Sequence, residues 1–135
     1  MSDLKSQLPI WLASSSPRRR QLISSLGMPF VSFEPTFKEE PPRHQESPVD
    51  YVQRMATSKA LSVAPEEVLS YLVIGSDTVV VVDGSILGKP ADPVMAESML
   101  NRLRGKAHHV VTAVALVMPE LSRPVIRTSS ALIIM

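Results

Sequence analysis

The stretch from Leu72 to Pro90 constrains the fold of this chain most. Two apolar, β-branched runs, Leu72 to Gly75 and Thr78 to Val82, lead into Asp83-Gly84, a dipeptide suited to a tight hairpin turn. Ser85-Ile86-Leu87 then returns along the strand just laid down. A chain built around such a hairpin must form a sheet, and Asp77 falls between its apolar runs. Asp83 is an ordinary turn former, whereas Asp77 is bracketed by Val73, Ile74, Val79 and Val80. The returning strand is expected to bring Lys89 beside Asp77. An acid facing a lysine suits a metal-and-phosphate site, with the carboxylate for Mg²⁺ or a water and the ammonium for phosphate charge. A simple salt bridge is the structural alternative.

The remaining punctuation predicts strands alternating with helices. Pro9 to Ala13 reads as a short buried strand, and Ser16 caps a helix from Pro17 to about Leu26 that closes on Gly27. Phe30 to Phe33 is a second strand, followed by a loop rich in proline and charge from Glu34 to Glu46. Ser47-Pro48 opens a helix through about Ala64, and Asp92-Pro93 opens another that reaches Leu103 and stops near Gly105. His109 to Val117 and Val125 to Ile134 complete the pattern as strands. The predicted class is α/β, or α+β with a mixed sheet, because hairpins are interleaved with capped helices.

Leu12 to Arg20, LASSSPRRR, delivers three hydroxyls to a helix N-terminus. That end has amides without internal partners and a partial positive charge, so it attracts anions. At about 100° per residue, Leu22, Ile23 and Leu26 set the inward face, with Arg19 inside it, Arg18 at its edge and Arg20 turned away. Arginine there opposes the helix dipole, and its planar fork of donors matches phosphate. The bland reading is a solvated basic turn. A proline-directed phosphorylation site or a minor-groove arm would need a flexible, polar surrounding that the apolar flanks do not provide.

Lys59 projects into the apolar stripe of the helix from Pro48, set by Val52, Met55, Ala56 and Val63. A lysine there either snorkels to the surface or faces a cleft beside Arg19. Glu39-Glu40 offers a second carboxylate, and by itself the pair reads as solvated. His108-His109 has no neighbouring ligand at metal spacing and reads as one packed and one exposed residue at a strand start.

Composition narrows the partners. Fourteen basic residues against thirteen acidic ones leave a net charge of +1, too balanced for nucleic-acid binding through bulk electrostatics. The absence of cysteine removes thiol catalysis and thiolate metal sites and fits a reducing compartment, with the cytoplasm as the expected location. The first residues lack the apolar run of a signal peptide or membrane span. The 135 residues have room for one domain. They stop inside the apolar run Ala131 to Met135, which predicts a partial domain, residues 1–135, weak stability alone and association, a homodimer included.

In order, LASSSPRR, the loop Glu39, QRMATSKA, IGSDTVVVVDG, ILGKP, LNRLRGKAHHV and VTAVAL resemble the Maf family of nucleotide pyrophosphatases. The resemblance runs from residue 11 to about 117. It implies a two-lobed, inosine-triphosphatase-like α/β fold with a cleft between lobes, of which much of the second lobe is lacking here. It implies hydrolysis of nucleoside triphosphates to the monophosphate and pyrophosphate with a divalent cation, Mg²⁺ or Mn²⁺. By resemblance, Asp77 is the general base or metal-binding acid and Glu39 the loop carboxylate that shares the metal, with Glu40 the alternative register. Lys59 and Lys89 correspond to phosphate-facing lysines, and Ser14 and Arg19 to the phosphate-binding turn. Arg18 and Thr78 match the branch acting on dTTP and UTP rather than the one preferring 7-methyl-GTP. The block resembling D-K-A-G-A-Y that follows in the family is absent, so a catalytically inactive nucleotide-binding fragment is the competing expectation.

Overall fold

The computed structural model describes residues 10–63, 72–87, 92–118 and 123–134. Its elements are β1 (Ile10–Ala13), α1 (Pro17–Ser25), β2 (Phe30–Phe33), α2 (Pro48–Val63), β3 (Leu72–Val82), β4 (Ser85–Leu87), α3 (Pro93–Leu103), β5 (Ala107–Val117) and β6 (Val125–Ile134). Each helix starts as its sequence dictates. Ser16 Oγ accepts from the Arg19 amide, Ser47 Oγ from that of Asp50 and Asp92 Oδ1 from that of Met95, with proline next after each cap.

Six strands form one mixed sheet in the order β2-β1-β3-β5-β6, with β4 on β3. β1 runs parallel to both β2 and β3, and the other pairings are antiparallel. The mixed α/β class therefore holds. The β3–β4 turn is made by Asp83 and Gly84 at φ 52° and 74°, the positive values such a hairpin requires. β3 differs from expectation in being one strand of eleven residues. β5 pairs with it without a break from Val73 to Val81, and that ladder carries the extended backbone through Ser76-Asp77-Thr78.

Alternation puts Val73, Gly75, Asp77, Val79 and Val81 on one face of β3, and α2 covers that face with Tyr51, Val52, Met55, Ala56 and Ala60. Val111, Ala113 and Ala115 of β5 complete this core. The helix approaches closely at Gly75, where a Cβ would lie 2.4 Å from the Ala56 carbonyl oxygen and 2.7 Å from the Ala60 nitrogen. This approach lets Lys59, the neighbour of Ala60, reach Asp77.

The inward face expected for α1 is not formed among the described residues. Leu22 and Leu26 are 59% and 62% exposed, and no residue of α1 is buried. α1 meets the sheet mainly at the edge strand β2, with Arg19 reaching the Ser76 carbonyl on β3, so its apolar residues find little wall to pack on. No described helix is long and apolar enough to cross a membrane.

Candidate active site

The parallel strands β1 and β3 end their pairing at Ala13 and Gly75, and β4 joins β3 only from Val80. Ser76 to Val79 lie between these two partners, just beyond the carboxyl end of β1 and of its parallel pairing with β3. Such switch points are where open α/β sheets bind ligands. Asp77 is in the middle of this interval and is buried.

Lys59 Nζ lies 2.8 Å from Asp77 Oδ1 and 2.8 Å from a carboxylate oxygen of Glu39. Helix, strand and loop thus meet in one acid–lysine–acid cluster. Burial works to lower the Lys59 pKa, but hydrogen bonds to Asp77 and Glu39 outweigh it and hold the ammonium above the ordinary lysine value. Lys59 remains charged throughout the neutral range. Of the two adjacent loop acids, Glu39 faces the cluster, while Glu40 turns to Arg54 at 3.8 Å.

Beside the cluster is a cavity of about 280 Å³ lined by Ser14, Ser15, Ser16, Arg19, Glu39 and Lys59 among others. Ser14 is buried, and its Oγ accepts from the Ser16 amide at 3.0 Å, which leaves the hydroxyl proton as a donor. Arg19 is half-buried and directs its guanidinium to the Ser76 carbonyl at 3.5 Å, the outer limit of a hydrogen bond. Ser14, Arg19, Glu39 and Lys59, named from sequence, line one cavity, and Asp77 joins them through Lys59.

The other named residues are placed differently. Thr78 is exposed and shares a 3.0 Å hydrogen bond with Thr112 on β5. It lines a second cavity, between the Pro41-Pro42 segment and the β3–β4 hairpin. Arg18 is exposed and borders a surface hollow with Gln21, Leu22 and Ser25. The structure does not bring Arg18 and Thr78 into one cavity. Lys89 lies outside the described residues, as does its pairing with Asp77 across the hairpin. His108 is buried and His109 exposed, as expected.

Sequence reasoning missed the groups that hold the Glu39 loop. Arg54 forks the Glu46 carboxylate with two bonds of 2.8 Å, and the Tyr51 hydroxyl donates to the Glu40 carbonyl at 2.7 Å. At the far end Thr36 donates two bonds to Ser62, from its amide to Oγ and from its hydroxyl to the carbonyl, both 3.2 Å. α2 therefore ties down the loop at three points and supplies Lys59 from the same surface. Tyr51, Arg54 and Ser62 fall about one helical turn or two apart, a spacing that marks a shared face but not its partner.

Hydrogen bonding from Arg54, reinforced by the Arg43 amide, lowers the Glu46 pKa to about 2 from 4.5. A depressed folded-state pKa adds stability above pH 4.5, and that stability is lost as pH falls toward 2. Glu46→Gln should consequently lower Tm at pH 7 and converge with the parent by pH 2. Thermal melts across that range provide the check, and a constant offset would exclude the Arg54–Glu46 fork as its source.

The class of this fold is shared with two solved structures. It is similar to a nucleoside-triphosphatase / dITP/XTP pyrophosphatase from Mycobacterium abscessus, at TM-score 0.52 and 19% identity over 92% of this chain and 72% of that one. A HAM1 protein from Coxiella burnetii matches at TM-score 0.56 and 16% identity, over 93% and 72%. At these identities the likeness concerns the fold alone. The chain belongs to the Maf-like protein family, whose model matches residues 9–132. Among curated relatives, the dTTP/UTP pyrophosphatase of Symbiobacterium thermophilum is 50% identical over 106 residues, 78% of this chain and 54% of the relative. That of Caldanaerobacter subterraneus is 43% identical over 119 residues, 87% and 56%. A nucleoside triphosphate pyrophosphatase of a Synechococcus species is 41% identical over 109 residues, 81% and 55%. The chain spans about half the length of these relatives.

Proposed function

We propose that this chain carries the phosphate-handling half of a nucleoside triphosphate pyrophosphatase that acts on dTTP and UTP. The observation that carries this reading is the Glu39–Lys59–Asp77 cluster, set at the edge of a cavity of hydroxyls and arginine at a helix N-terminus. The relatives named dTTP/UTP pyrophosphatase support the substrate class.

The phosphates would lie against the Ser14–Ser16 turn, where amides, hydroxyls and the Arg19 fork can share their charge. A water attacks the α-phosphorus in line, a new P–O bond forms, and the α–β bridging bond breaks to release pyrophosphate and the monophosphate. Asp77 orients that water and takes its proton. Lys59 and Arg19 stabilise the charge that builds on the phosphate oxygens, with Lys89 assigned to the same task by family resemblance.

Two carboxylates on a single ammonium form a hard oxygen donor set, which fits Mg²⁺ or Mn²⁺ held jointly by protein and phosphate oxygens. No group of three acidic, histidine or cysteine side chains converges among the described residues, and substrate phosphate oxygens would have to supply the remaining ligands. Glu39 and Asp77 would hold it, and when bound it supplies charge neutralisation at the phosphates.

Pyrophosphate release from dTTP with Mg²⁺ or Mn²⁺ tests the reading. The bridging of both carboxylates by Lys59 favours one alternative, a fragment that binds nucleotide without cleaving it. Measured binding with no release selects that alternative. Self-association is proposed separately from the exposed Leu132 and Ile134 of the edge strand β6, and the mass in solution decides it.

Base preference is the second test. dTTP and UTP should outcompete 7-methyl-GTP, and Arg18→Trp with Thr78→Gln should weaken that preference. Because Arg18 and Thr78 line separate cavities, the two substitutions should act independently, and their effects should add in free energy. A parent that prefers 7-methyl-GTP would overturn the assignment to the dTTP/UTP branch.

A further inference from the structure

We propose that Arg54 is a positioning residue for this site: it holds the loop of Glu39 and Glu40 so that Glu39, and not its neighbour, faces the divalent cation. The inference rests on the reading of Glu39 and Asp77 as the carboxylates that share the metal. Arg54 itself lines neither the phosphate cavity nor the cavity beside Asp77, so it acts through the loop.

Arg54 grips the loop at its far end. Its Nε and Nη2 donate to the two carboxylate oxygens of Glu46, both at 2.8 Å. Such a fork fixes the angle between helix and loop as well as their distance, which a single contact does not. Glu46 is locked in turn. Its amide donates to the Arg43 carbonyl at 3.0 Å, and its Oε1 accepts from the Arg43 amide at 2.9 Å. Gln45, inside that turn, has φ 61°, a left-handed value that a residue other than glycine keeps only where its surroundings impose it. The fork therefore joins α2 to a closed turn.

A stiff spacer connects this turn to the site. Pro41 and Pro42 separate it from Glu40, and each ring fixes its own φ. On the near side of the prolines Arg54 approaches the Glu40 carboxylate at 3.8 Å. Tyr51, whose ring centre is 5.5 Å from the Arg54 guanidinium, donates to the Glu40 carbonyl at 2.7 Å. Arg54 thus meets the loop on both sides of the spacer. Glu40 is drawn toward Arg54, while the adjacent Glu39 reaches Lys59 at 2.8 Å. With two acids in succession, a slip of one residue would bring the wrong carboxylate to the metal. Arg54 opposes that slip by holding Glu40 back.

The readout is the metal enhancement of nucleotide binding: the affinity for an α,β-methylene analogue of dTTP with Mn²⁺, divided by that in EDTA, both by calorimetry. Arg54→Met should lower this ratio by about tenfold or more, the effect of losing a group that orients a metal-binding carboxylate. The affinity in EDTA should stay within about twofold, because the Ser14–Ser16 turn and Arg19 are untouched. Arg54→Lys keeps the charge without the fork and should recover part of the ratio. Should Arg54→Met lose its thermal transition, Arg54→Met with Glu46→Gln removes the pair without leaving a bare carboxylate and should show the same drop. Glu40→Gln should leave the ratio within about twofold of the parent; a tenfold loss there would make Glu40 the ligand and overturn the inference. A folded variant without Arg54 that keeps the parent ratio also overturns it and leaves the metal reading standing. So does an equal loss of both affinities, which would mark Arg54 as merely structural. Glu39→Gln separates the two readings. If the ratio survives that change, or the parent shows no enhancement, the metal reading fails and the role of Arg54 fails with it.

Discussion

Asp77→Asn is expected to cut pyrophosphate release from dTTP by at least about 100-fold, the lower end of what a positioned acid or base contributes. The substitution keeps the shape of the side chain and removes its charge. Lys59 would retain Glu39 as an anionic partner at 2.8 Å, so the half-buried ammonium is not left without compensation. Folding should therefore survive, with the thermal transition close to that of the parent. Nucleotide binding should change less than turnover, since the Ser14–Ser16 turn and Arg19 are untouched. The assay is steady-state release of pyrophosphate by parent and variant, with kcat and KM separated. A variant within about tenfold of the parent, roughly 1.4 kcal/mol in barrier, would show that Asp77 is not the catalytic carboxylate.

Gly75→Ala should cost about 3 kcal/mol or more, at the upper end for an overpacked core. The new methyl would meet backbone atoms, the Ala56 carbonyl oxygen at 2.4 Å and the Ala60 nitrogen at 2.7 Å, neither of which can rotate away. Either α2 lifts from β3 or the strand bends, and both separate Lys59 from Asp77. A fall in Tm of about 10 °C or more is expected for a domain of this size. Loss of nucleotide affinity should accompany it, because the helix that moves carries Lys59 and the tethers of the Glu39 loop. A variant that melts with the parent would mean that α2 is not pressed against Gly75 as described.

Much of the fold could be read locally. The caps Ser16, Ser47 and Asp92, each followed by proline, start their helices where expected, because a cap acts on amides two or three residues away. Asp83-Gly84 set the hairpin for a similar reason: the turn is decided by the backbone freedom of two residues. The break expected at Ser76-Asp77-Thr78 was wrong because local propensity there is overridden by continuous pairing with β5, more than thirty residues away. The inward face expected for α1 failed for the opposite reason. An apolar stripe predicts burial only where the tertiary structure supplies a wall, and α1 packs mainly on the edge strand β2.

The candidate site divides along the same line. Residue chemistry singled out Arg19, Lys59 and Asp77, because an acid between apolar runs, a lysine in an apolar stripe and an arginine at a helix N-terminus each need a reason, whereas Ser14 and Glu39 were named individually by family resemblance. The sequence could not rank Glu39 against Glu40, nor could it show that Lys59 lies between two carboxylates. Those outcomes depend on the close approach of α2 at Gly75 and on the tethers from Tyr51, Arg54 and Ser62. Helix starts and the hairpin turn rest on interactions within a few residues, so the sequence by itself determined them. Which groups meet rests on packing between segments that are distant in the chain, and only the tertiary structure decided it.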